Sequence, residues 1–132
     1  MMDQTVFQTI KTKKDIETFL DSVNGLHDGY VIGVQYEHKG HTFEKFHRID
    51  PAFTELKMQI LVTSIYNKIV ELVFSSLVEW QINDNEFYEI LDTAVSLEDN
   101  GTIVWADDCS TDPVDRKGGS YVVAKEMKWR FL

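Results

Sequence analysis

The sequence predicts an α+β fold, with one N-terminal helix packed on a bent, mostly antiparallel sheet of about six or seven strands. Apolar residues recur at helical spacing over one short stretch near the start of the chain. From Tyr30 onward they alternate with period two, and no helix-length segment separates the later runs to make a parallel crossover. The sheet is expected to curl into a partly closed barrel or to form a sandwich-like pair of layers.

The helix is placed at about Lys13 to Val23. Thr12 is suited to the N-cap and Asp15, three residues on, completes a variant of the capping box. Ile16, Phe19, Leu20 and Val23 make one apolar stripe that must be buried. Asn24-Gly25 supplies a left-handed C-cap, and Leu26 can fold back on the last turn.

A strand follows with Tyr30, Ile32, Val34 and Tyr36 on one face. Lys39-Gly40 is expected to turn the chain into a second strand carrying Phe43. Leu56 to Val62 and Val70 to Trp80, joined near Asn67-Lys68, carry apolar residues on both faces and are expected at the sheet centre. A strand over Phe87 to Glu98 leads to Asn100-Gly101, a hairpin signal. A two-residue loop there sets Leu97 opposite Val104 and Val95 opposite Ala106. A final strand runs from Tyr121 to the C-terminal end.

The 132 residues fit a single domain spanning 1–132, and 43% hydrophobic content is ample for a packed core. The net charge of −9, from 22 acidic and 13 basic residues, argues against nucleic acid and against an anionic membrane. It favours a basic protein partner or a cation. One cysteine, no secretory leader and no bilayer-length apolar run lead to the expectation of a cytoplasmic protein.

Catalytic signatures are missing. There is no P-loop, no G-x-G-x-x-G and no G-x-S-x-G elbow, and no cofactor is expected. Cys109 sits among acidic neighbours, which oppose thiolate formation. His38 and His41 flank Lys39-Gly40, and a two-residue hairpin would set their imidazoles face to face as a pair of metal ligands. With no third ligand in reach, an exposed polar hairpin tip is the simpler reading. His27-Asp28 lies where the helix hands over to the first strand, and the expectation is a structural turn. Asp107, Asp108, Asp112 and Asp115 crowd a long loop whose spacing does not match an EF-hand; a solvated connector is the simpler reading, and contact with a basic partner is the functional one. Tyr30, Tyr36, Trp80, Trp105 and Trp129 mostly take core-facing positions, although a sheet face lined by aromatics also makes a ligand pocket.

Leu26-His-Asp-Gly-Tyr-Val, with the later Glu71-Leu-Val-Phe and Trp105-Ala-Asp, resembles the first strand and sheet of several small bacterial α+β families of unknown function. Some of these are immunity proteins, acidic cytosolic antidotes that bind and block a toxin. The resemblance implies a non-enzymatic protein-binding module and supplies no catalytic residues. The alternative is a domain that binds a small molecule or metal through the aromatic face or the His38–His41 pair.

Overall fold

The computed structural model describes residues 5–39, 51–82, 89–90, 93–107 and 119–132. A short strand β1 (Gln8–Thr9) precedes helix α1 (Lys13–Ser22). Then come β2 (Gly29–His38), β3 (Thr54–Val62), β4 (Lys68–Gln81), β5 (Glu89–Ile90), β6 (Thr93–Leu97), β7 (Ile103–Asp107) and β8 (Tyr121–Phe131). All the ladders among the described residues are antiparallel, in the order β5-β2-β3-β4-β8-β7-β6, with β1 added to β8. The expected single strand over Phe87–Glu98 is therefore two, β5 and β6, at opposite ends of this path. Those ends do not pair with each other among the described residues.

Local chemistry starts the helix where the cap residues demand. The Asp15 N–H donates to Thr12 Oγ1 at 3.1 Å, and Asp15 Oδ2 accepts from the Thr12 and Lys11 N–H groups at 3.0 and 2.8 Å. Ile16, Phe19 and Val23 are buried. Phe19 meets the Trp129 ring edge-on at 5.3 Å, and Trp129 in turn meets Phe131 at 5.5 Å. Burying Phe19 from water contributes about 2–3 kcal/mol. The helix ends in three successive left-handed residues, Asn24, Gly25 and Leu26, which turn the chain sharply enough to bury Leu26 against the same core. Gly29 then passes so close to this turn that a Cβ would stand 2.7 Å from the Leu26 carbonyl oxygen and 2.9 Å from Ile60. No side chain fits there.

The core lies between α1 and one face of the sheet. Leu56, Met58, Ile60 and Val62 of β3 alternate inward with Val70, Leu72 and Phe74 of β4 and Met127, Trp129 and Phe131 of β8. Two irregularities redirect the strands. Ile32 is an extra residue in β2, between the Val31–Ile60 and Gly33–Gln59 pairs. The expected stripe Tyr30-Ile32-Val34-Tyr36 is thereby split: Tyr30 pairs with Leu61 on the outer face, while Val34 and Tyr36 pair with Met58 and Leu56 on the helix side. In β4, Ser76 takes φ +56° and β3 ends, so the buried Leu77 N–H finds the Thr54 hydroxyl instead at 2.9 Å. Leu77 moves inward, Val78 bulges outward, and Trp80 returns to the helix side opposite Val122.

The β6–β7 hairpin is also shifted from expectation. Leu97 pairs with Ile103 and Val95 with Trp105. The loop carries three residues, Asp99 to Gly101, closed by the Glu98 N–H donating to the Thr102 carbonyl at 2.9 Å. Gly101 at φ +88° takes the left-handed position that such a loop needs. On the outer face, Glu71 is buried. Its Oε1 accepts from Arg130 Nε at 3.1 Å, and its Oε2 accepts from Gln59 Nε2 at 3.3 Å. Phe7 lies beneath the Arg130 guanidinium and the Lys128 ammonium, at 4.4 and 4.5 Å from its ring centre.

Candidate functional site

β2 and β4 bring one unusual surface together. Tyr36 and Trp80 both occupy helix-side positions, the face that elsewhere forms the core. Yet they remain 45% and 38% exposed. Their rings stack at 5.7 Å with an interplanar angle of 23°. Val34, one pair further along β2, is exposed too. Among the described residues, α1 packs on β6 and against Trp129 of β8 and not over this end of the face. Of the aromatics expected inside, Trp105 and Trp129 are buried, Tyr30 is half-exposed on the outer face, and Tyr36 and Trp80 form the exposed pair.

The acidic loop is described only at its base. Asp107 ends β7 with a buried side chain: its Oδ1 accepts from the Ser120 N–H at 3.0 Å, while its own N–H donates to the Ser120 carbonyl at 2.9 Å. That carboxylate fastens the two ends of the loop together. Asp108, Cys109, Asp112 and Asp115 lie outside the described residues.

His38 stands opposite Thr54, and the ladder runs one residue further through the Lys39 N–H to the Phe53 carbonyl at 2.9 Å. The strand beside His38 on this edge is thus β3. Both His38 ring nitrogens are shielded from solvent. His41 and Phe43 lie outside the described residues, and no group of three or more potential metal ligands occurs among those that are described.

At the opposite end of β2, Asp28 takes φ +58°, which breaks strand alternation and lets its Oδ2 come within 3.6 Å of His27 Nε2. Backbone contacts explain the geometry. The Asp28 carbonyl accepts from Thr63 N–H and Oγ1 at 3.3 and 3.0 Å, and the His27 carbonyl accepts from Ser64 Oγ at 2.7 Å. The Ser64 hydroxyl is therefore directed at a carbonyl and not at the imidazole, so Ser64, His27 and Asp28 do not make a hydrolytic triad. Their arrangement clamps the β3–β4 loop onto the helix exit, as expected of a structural turn.

No helix among the described residues is long and apolar enough to cross a membrane. Comparison with known protein families, with curated protein sequences and with solved structures finds no match.

Proposed function

We propose that this chain is a non-enzymatic, cytoplasmic protein-interaction module of the immunity-protein kind, which receives a basic partner at the aromatic end of its helix-side face. The observation that carries this reading is the Tyr36–Trp80 stack, about half exposed on a face that is otherwise core. Tyr and Trp dominate the energetic centres of protein interfaces, because each brings a large rigid apolar area at small entropic cost. A net charge of −9 draws basic partners toward the chain. An Arg or Lys side chain set over the Trp80 ring would gain about 0.5–2 kcal/mol from the cation–π contact alone. In this reading the sheet is a partly closed barrel with the aromatic pair at its mouth. Asp107 holds the acidic loop, and the contact role is proposed for Asp108, Asp112 and Asp115.

The test compares immobilised wild type with a Tyr36→Ser/Trp80→Ser double variant in lysate of the source organism. One basic protein, retained near stoichiometrically by the wild type and lost by a variant of unchanged circular dichroism, is the expected result. Equal retention by both removes the aromatic surface from the account, and no retained protein overturns the interaction reading. A second reading, a small aromatic ligand on the same platform, draws support from the near-parallel rings. It predicts saturable quenching of tryptophan fluorescence that the double variant lacks.

A further inference from the structure

β2 is an edge strand for most of its length. β3 lines one side of it, whereas β5 pairs with the other side only at Gly29 and Tyr30. Beyond Tyr30 that side has no strand partner among the described residues. The register with β3 shows which groups are left there. The Lys39 N–H donates to the Phe53 carbonyl, just before β3, at 2.9 Å, and backbone direction alternates along an antiparallel ladder. Glu37, Gln35 and Gly33 therefore bond to β3, since the pairing from Gly33–Gln59 to His38–Thr54 is unbroken. Val34 and Tyr36 turn their N–H and C=O groups to the open side.

Native proteins guard such edges with shortness, lysine, proline or a bulge. β1 and β5 are two residues long, and β6 is packed by α1. Residues 33–37 of β2, Gly-Val-Gln-Tyr-Glu, carry no such guard, and the bulge at Ile32 ends before them. This stretch is about 17 Å long, the length of an ordinary strand. Val34 and Tyr36 also expose their side chains on the helix side, with Trp80 stacked on Tyr36. An added strand thus gains main-chain hydrogen bonds and an apolar surface for every second side chain.

On the outer face Glu37 is exposed and has no ion pair among the described residues; Lys39 and Lys57 both close on Glu55, at 3.2 and 3.8 Å. These four charges sum to zero, so attraction from a distance falls to the net −9 of the whole chain. At pairing distance, a basic side chain opposite Glu37 is favoured. A second copy of this chain would set −9 against −9 and is the poorer occupant.

We infer that the basic partner proposed above docks by strand addition: an extended segment of it pairs antiparallel with residues 33–37 of β2. Its apolar residues lie beside Val34 and Tyr36, and a basic residue stands opposite Glu37. The inference rests on the interaction reading and gives that reading its geometry.

Amide hydrogen exchange, followed by two-dimensional NMR, reads the edge directly. In the free chain Val34 and Tyr36 should exchange faster than Gln35 and Glu37. Equal protection of all four would show the edge already paired and overturn the inference. Protection that rises with protein concentration would assign the edge to a second copy and overturn it too. The probe is the peptide acetyl-Arg-Val-Arg-Tyr-Arg-Val-amide, with Glu in place of Arg as control. At nine-tenths saturation the basic peptide should slow Val34 and Tyr36 about tenfold, since only the free fraction exchanges. No slowing up to millimolar peptide, or equal slowing by the acidic one, overturns the inference. Val34→Pro removes an outward N–H and none of the β3 ladder, so it should keep the native spectrum and lose the peptide. The wild-type exchange rates decide the question whether or not that variant folds. A lysate protein that Tyr36→Ser/Trp80→Ser loses but Val34→Pro retains would overturn strand addition and leave the partner reading standing. No retained protein at all defeats the partner reading itself, and strand addition with it.

Discussion

Gln59, Glu71 and Arg130 stand in one row across β3, β4 and β8, on the face of the sheet turned away from the helix. A carboxylate buried as deeply as that of Glu71 is tolerated because a guanidinium and an amide both donate to it. Arg130→Met leaves the charge buried with a neutral donor alone and should cost about 3 kcal/mol in urea unfolding. A loss under about 1 kcal/mol would mean that Glu71 reaches water when its partner is removed. Sequence alone shows Glu71 as a charge inside an apolar run. It cannot show the partner, which lies 59 positions further along the chain. Asp107 is a parallel case: it reads as part of an acidic loop, while its carboxylate is spent on the Ser120 N–H.

Helix α1 was legible because its signals are local: a cap, a box and an apolar stripe within one short segment. The backbone N–H of Lys11 is the main cause holding the Asp15 carboxyl below its usual value of 3.8, with the Thr12 N–H and hydroxyl adding to it. A lowered folded-state pKa stabilises above the unfolded-state value, and that contribution is lost as pH falls through the folded-state value. The gap in urea midpoint between wild type and Asp15→Ala should therefore be constant near neutrality and close as pH drops below 3.8. A gap that stays constant into strong acid would remove Asp15 from the cap. Thr12→Ala should cost about 1 kcal/mol. Most of the longer strands were legible as strands, but several of their details were not, the split of Phe87–Glu98 into β5 and β6 among them. A two-residue and a three-residue loop share the Asn-Gly signal, so the β6–β7 register slipped by one. The extra residue at Ile32 and the left-handed Ser76 are fixed by cross-strand partners, which no local pattern contains.

Across the whole molecule, the α+β class with one helix on an antiparallel sheet followed from periodicity, whereas the sites depend on where elements end. Tyr36 and Trp80 take core-facing positions, as their alternation implies. They are nonetheless exposed, and among the described residues α1 packs elsewhere on that face, a fact of tertiary placement. β7 and β1 share one edge of the long strand β8, and β1, two residues long, carries no periodic signal at all. The central claim is that the aromatic pair is a partner surface. The most direct measurement places a photo-crosslinking benzoylphenylalanine at position 36 in the source organism, with the same residue at the exposed helix position 17 as control. The account predicts one crosslinked protein of net positive charge from position 36 and none from position 17. No crosslink from position 36, or the same products from both positions, would contradict it.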